Sequence, residues 1–277
     1  MNSPARAFPP SRRGGVPFSS PESLIEEGLR ELSLAHTPDH ILPFSVYLAE
    51  LKRWNRAYNL TSMKGDEDII IKHFMDSLLY LKGLPLGEIS VMDVGSGAGF
   101  PGIPLKIVRP EIKLYLLEPS RKRATFLRHV VHLLGLDSVE IIEKRIEETG
   151  SPVVDVAVTR ALFTLKDFWE KASPVTKKDG RIIMSKGPKV KEELVGIEGT
   201  GIDYEMVTMK LPLTGISRHI VIMNRDRRGH DNREKSHRVC SGERVSLSPN
   251  TCVNAECRLR KAGCRGFEGC PGFISRQ

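Results

Sequence analysis

The stretch MDVGSGAGFPGIPL, residues 92–105, sets Gly95, Gly97 and Gly99 directly behind one carboxylate, Asp93. Backbone this bare can turn sharply and bring its N–H groups up to a ligand without side chains in the way. A second carboxylate, Glu118, closes the next apolar run about 20 residues on, where it can accept hydrogen bonds from both hydroxyls of a ribose. The chemistry implied is the holding of a nucleotide-type cofactor at a strand end.

The spacing by itself leaves the cofactor open. From Gly97, GAGFPG satisfies the G-x-G-x-x-G pattern of dinucleotide sites. From Asp93, DVGSGAG satisfies the D/E-x-G-x-G-x-G loop of S-adenosylmethionine enzymes. A dinucleotide seats its pyrophosphate on a helix N-terminus, and Pro101 and Pro104 would preset that helix while removing two donors. A purely structural glycine-rich turn is the third reading.

These residues need a scaffold, and the flanking pattern supplies one. Ser20-Pro21-Glu22 reads as an N-cap, a first-turn proline and a first-turn acid, followed by Leu24, Ile25, Leu29 and Leu32 at helical spacing. A second helix is expected from Pro38 or Asp39 to Tyr58, and a third over 66–82, opened by the acids DED. From residue 89, β-rich runs alternate with helical stretches: ISVMDV, KLYLLE, VEII, DVAVT and GRIIMS as strands, with helices over 102–108, 120–134, 164–172 and 189–195. This alternation predicts an α/β fold with a doubly wound, mostly parallel sheet. YEMVTMKL and RHIVIMN are separated only by PLTGIS and should pair antiparallel at the sheet edge. The domains expected are a disordered leader (1–20), a helical cap (21–85), a cofactor-binding domain (86–224) and a basic tail (225–277).

Composition narrows the class. The chain is 40% hydrophobic and 27% charged, with neither a membrane-length apolar run nor a secretory signal. The net charge of +8 sits at the ends: residues 225–277 carry twelve Lys and Arg against six Asp and Glu. Residues 1–20 add three Arg and no acid. Long-range attraction to a polyanion would therefore come largely from the two tails. All five cysteines lie in the last 38 residues, which argues against a secreted disulfide protein and for a cytoplasmic one.

Seven segments occur together in order: RWNRAYNLTS (53–62), HFMDSL (73–78), DVGSGAGFPGIPL (93–105), RKRATFL (121–127), TRA (159–161), KG (186–187) and RH (218–219). On these the chain closely resembles the bacterial 16S ribosomal RNA guanine-N7 methyltransferases, the RsmG/GidB family (glucose-inhibited division protein B), over about residues 24–224. The resemblance implies a class I methyltransferase fold with an N-terminal helical cap and S-adenosylmethionine as methyl donor. The implied partner is 16S rRNA, the small ribosomal subunit or an assembly intermediate, met by a monomer. The cofactor pocket it implies uses Gly95 and Phe100 in the loop, Glu118 on the ribose, and Ile146 and Glu147 beside the adenine, alongside Asp93, Gly97 and Gly99 as read from the spacing. Arg160, the candidate catalytic residue, would stand near the methionine end of the cofactor and the incoming base. Arg121, Arg123, Lys186 and Arg218 are candidate rRNA contacts, though Lys186 and Arg218 read equally as surface charges and the RKR of 121–123 as a solvated helix face.

The residue inventory agrees with N7 chemistry. Guanine N7 carries a lone pair and no proton, so no general base is required. Neither a [DN]-P-P-[YF] segment after the fourth strand nor a Pro-Cys nucleophile is present. His73 and Asp76, at i and i+3 on the third helix, are read as making local structural hydrogen bonds to the neighbouring loop. Trp54, Asn55 and Asn59 are read as locking the cap helix to its following turn. The tail holds Cys252, Cys257, Cys264 and Cys270 as C-x4-C-x6-C-x5-C, a candidate zinc knuckle without the usual C-x2-C pairs. Its alternatives are a redox-active or disulfide tail and a weakly ordered basic extension. Two rival functions follow from the same residues: a catalytically idle RNA-binding or assembly factor on this scaffold, and a nicotinamide-dependent oxidoreductase.

Overall fold

The computed structural model describes residues 20–225 except Thr149. The leader, the tail and all five cysteines, with the candidate zinc ligands, lie outside the described residues. Helix α1 (Pro21–Glu31) opens on a capping box in which the Ser20 hydroxyl accepts from Ser23 N–H at 3.2 Å. Helix α2 (Pro38–Tyr58) buries Phe44, Tyr47, Leu48 and Leu51, and stops where Asn59 takes the left-handed conformation at φ 50°. The third helical segment, α3 (residues 66–82), runs as expected but is not uniform. Its middle turn, Ile70–Met75, widens to π geometry, and its last, Leu79–Lys82, tightens to 3-10 geometry. Single widened turns of this kind are frequent at functional sites, and this one contains His73.

The strands are β1 (Ser90–Val94), β2 (Lys113–Leu117), β3 (Val139–Ile142), β4 (Val154–Arg160), β5 (Thr176–Lys186), β6 (Asp203–Lys210) and β7 (Ser217–Asn224). They form one sheet in the order β3-β2-β1-β4-β5-β7-β6. The first five are parallel, and β7 pairs antiparallel with both β5 and β6. The crossovers carry α4 (Gly102–Val108), α5 (Arg121–Leu133), α6 (Leu165–Ala172) and α7 (Val190–Val195).

Side-chain alternation divides the core into two layers. Val91, Leu114, Leu116, Val156, Val158, Ile183, Ile220 and Ile222 face the cap helices, with Tyr47 and Phe74, and α5, with Phe126. Met92, Leu117, Ala157, Ile182, Met184 and Val221 face α6 and α7 through Leu165, Phe168 and Leu194. The cap helices thus share one core with the sheet. No helix of the described residues is long and apolar enough to cross a membrane.

Candidate functional site

Strand order reverses between β1 and β4, and in an open α/β sheet the crevice at such a point, beyond the carboxyl ends of the strands, is where ligands bind. The glycine loop lines it. Gly95, Gly97 and Gly99 all have positive φ, at 70°, 59° and 100°. At Gly95 the left-handed conformation is what favours glycine, since a Cβ there would meet only the movable end of the exposed Leu162 side chain. The loop is pinned to the sheet: Gly95 and Ser96 donate to Leu117 carbonyl at 2.8 and 3.1 Å, and Tyr47 donates its buried hydroxyl to Ala98 carbonyl.

Glu118 is buried, and its carboxylate joins two loops. Oε2 accepts from Gly97 N–H and Oε1 from Ser120 N–H, both at 2.9 Å. Each oxygen keeps a further lone pair, so a fixed carboxylate with acceptor capacity stands beside the loop. Arg123, at the exposed start of α5 beside Arg121, comes within 3.9 Å of it.

Asp93 points to the cap face in phase with Val91. Its Oδ2 accepts from Gly102 N–H at 2.8 Å, capping α4, while Oδ1 is buried without a hydrogen-bond partner among the described residues. Burial pushes its carboxyl up to about 7, opposed by the Gly102 hydrogen bond and the Arg160 charge and assisted by Glu118.

Arg160 ends β4 on the same face. Its guanidinium donates to Lys72 carbonyl at 3.1 Å and to His73 Nδ1 at 2.7 Å, and lies 5.1 Å from the Phe100 ring centroid. His73 stacks on Phe100 at 4.5 Å with 14° between the planes. Asp76 Oδ2 is 3.8 Å from Arg160, and its Oδ1 accepts from Arg218 Nε at 2.7 Å. Tyr80 closes the floor by donating to Thr159 carbonyl at 2.6 Å and accepting from Ser185 N–H at 3.0 Å.

The remaining sequence candidates fall elsewhere in the contact network. Lys186 is out of phase with Arg160: it follows Ile182 and Met184 onto the α6/α7 face. There its ammonium donates to Phe163 carbonyl at 2.6 Å and pairs with Glu193 at 2.8 Å. Ile146 is buried in the same layer, and Glu147 is exposed and paired with Lys171, whose hydrogen bond is the main cause of its lowered pKa. Asp93, the three loop glycines, Phe100, Glu118 and Arg160 therefore form one connected arrangement at the strand ends.

That arrangement suits an adenosyl-type cofactor. The structure offers an unpartnered buried carboxylate oxygen, a held second carboxylate, and at Gly97 an open face where a Cβ would meet nothing nearer than 4.0 Å. The family model for rRNA small subunit methyltransferase G matches residues 41–221. The chain belongs to this family. Among its relatives, the ribosomal RNA small subunit methyltransferase G of Pelotomaculum thermopropionicum is 37% identical over 212 residues, covering 73% of this chain and 89% of that one. The same-named protein of Geobacter sp. (strain M21) is 34% identical over 218 residues, covering 76% of this chain and all of its own. A solved methyltransferase from Pyrococcus furiosus shares 14% identity over 65% of this chain and 97% of its own, with a TM-score of 0.48. The fold is the class I methyltransferase sheet with its antiparallel last pair, as the sequence implied.

Within this family fold, the residues that sequence reasoning under-read are His73 and Asp76. His73 does bond to the neighbouring loop, through Thr61 Oγ1 at 2.8 Å, but its other nitrogen and the Asp76 carboxylate reach Arg160 and Arg218. The available signal was the HFMDSL segment itself, which sets both polar groups among apolar residues that are buried in the helix. Among the described residues no cluster of His, Cys, Asp and Glu is arranged to hold a metal ion.

Proposed function

We propose that this protein transfers a methyl group from S-adenosylmethionine to N7 of one guanine in 16S rRNA, presented as RNA or within a small-subunit particle. The observation that carries this reading is family membership over residues 41–221 together with an intact strand-end crevice. The guanine-N7 detail follows the family. S-adenosylmethionine, when bound, supplies an electrophilic methyl on a sulfonium centre.

The chain's own residues then have two tasks, holding and charge placement. Glu118 would hold the ribose, Asp93 and the loop from Gly95 to Gly99 the rest of the cofactor, and Arg160 and Phe100 would line the side on which the base arrives. Neither His73 nor Asp76, the side chains that contact the Arg160 guanidinium, is free to take up a proton. Both His73 nitrogens are engaged, and both Asp76 oxygens face guanidinium groups. A nucleophile with a free lone pair and no proton to lose suits such a site.

The test is transfer of labelled methyl to small-subunit rRNA that lacks its own N7 methylation, followed by strand-scission mapping of N7-methylguanine. A single labelled guanine, lost in Arg160→Ala, is the expected result. Cofactor binding without transfer to RNA would point to another substrate, and absence of both would overturn the assignment.

A further inference from the structure

Arg160 is part-buried at the end of β4, with its nearest carboxylate oxygen 3.8 Å away. Its two closest acceptors, the Lys72 carbonyl and the His73 ring, are neutral. Arginine can only donate, so His73 Nδ1 must carry the lone pair. The proton then sits on Nε2, which donates to Thr61 Oγ1 at 2.8 Å. Thr61 is itself fixed: its N–H donates to Asn55 Oδ1 at 2.8 Å, and Asn55 Nδ2 donates to Met63 carbonyl at 3.3 Å. The left-handed Asn59 ends α2 so that the chain can turn back to make these bonds. A connected run from Asn55 through Thr61 and His73 therefore ends on the strand-end cation.

We propose that His73 is a positioning residue for Arg160: its unprotonated Nδ1, fixed in that tautomer by Thr61, aims the guanidinium over Phe100 without neutralising it. The inference rests on the functional reading above for what Arg160 does, but the hold itself is a property of the folded chain. The carboxylate in the cluster, Asp76, stands 3.8 Å from Arg160 and gives its 2.7 Å contact to Arg218. Two guanidiniums thus share one carboxylate, and the trio of Arg160, Arg218 and Asp76 keeps one net positive charge. A carboxylate at position 73 would orient Arg160 equally well and remove that charge. A neutral acceptor does the first without the second. Two of the segments that carry the family resemblance, 53–62 and 73–78, acquire a joint purpose on this account.

The proposal is tested on the full-length protein in two ways. Nitrogen-15 spectra of labelled histidine should show His73 as the Nε2–H tautomer, with an Nδ1 resonance that moves when Arg160 is replaced by glutamine. A protonated Nδ1, or a resonance indifferent to that replacement, would overturn the hold. Single-turnover methyl transfer then compares two variants that differ in which ring nitrogen they mimic. His73→Asn keeps an acceptor near the Nδ1 position and should stay within about threefold of wild type, whereas His73→Gln keeps only the Thr61 side and should fall about 10–100-fold, the scale of a displaced catalytic group. Equal losses in the two variants, or no loss in either, would reduce His73 to a structural role. Should the wild type transfer no methyl to rRNA while the spectra show the expected tautomer and coupling, the hold on Arg160 stands and the rRNA reading falls.

Discussion

Two buried groups near the strand ends titrate in opposite senses, and removing either should expose the other in the pH dependence of stability. Burial and the Arg160 charge lower His73 from the ordinary 6.5 to about 3. Burial raises Asp93 from 3.8 to about 7. Between pH 6.5 and about 3 the unfolded chain protonates His73 and the folded chain does not, so this group makes stability rise with pH. Between pH 3.8 and about 7 the folded chain keeps a proton on Asp93 that the unfolded chain releases, so this group makes stability fall with pH. Each displacement is worth about 4–5 kcal/mol, and each slope is at most about 1.4 kcal/mol per pH unit. The contributions nearly cancel across their shared window.

The cancellation can be broken from either side. In His73→Asn the rising limb is gone, so stability from urea denaturation between about pH 4.5 and 6.5 should fall relative to wild type by about 1.4 kcal/mol for each pH unit. Asp93→Asn keeps a carbonyl for Gly102 N–H, and its profile should tilt by a similar amount in the other direction. Taking each slope relative to wild type removes the carboxylates the two proteins share, such as Asp155, whose pKa is lowered by its hydrogen bonds from Lys177 and Ser90 against the opposing effect of burial. A His73→Asn profile parallel to that of wild type would refute the claim that the histidine is buried neutral.

Two further outcomes concern the loop. Gly102→Ala would put a methyl 2.6 Å from Leu116 Cδ2 and 2.9 Å from Asp93 Oδ2. The start of α4 must then shift, and thermal denaturation should show a loss of about 1–3 kcal/mol together with weaker cofactor binding. Tyr47→Phe removes the buried donor to Ala98 carbonyl. It should cost about 1–3 kcal/mol and speed amide exchange within residues 95–99, while exchange in the β6–β7 hairpin stays unchanged.

The elements were legible because each carries its own periodicity. Short, nearly continuous apolar runs mark the central strands, which are buried on both faces, and Ser20 before Pro21 marks a helix start by chemistry rather than pattern. The widened turn at Ile70–Met75 was not legible, since one extra residue per turn leaves the apolar spacing of a short helix nearly unchanged. Lys106 was hidden for a different reason. It reads as a surface lysine but is 2% exposed, with its ammonium donating to the carbonyls of Pro110 and Ile112 at 2.5 and 2.6 Å. Only the folded return of the chain supplies those acceptors. The Asp76–Arg218 pair joins residues 142 apart and has no local signature at all.

The division among the cationic candidates, by contrast, was available from strand parity. Arg160 follows Val156 and Val158, and Arg218 precedes Ile220 and Ile222, all on the cap face. Asp93 follows Val91 onto that face, so strand phase alone gathers these three groups on one side of the sheet. Lys186, two residues after Met184, falls on the other face, where it is 10% exposed at the side chain and matched by Glu193. A lysine so paired would have to give up a 2.8 Å ion contact to meet a phosphate, whereas the cap-face pair of arginines holds more positive charge than Asp76 can neutralise. Strand phase therefore separates a charge that steadies α7 against the sheet from the two that share Asp76 on the cap face, though composition gives all three the same description.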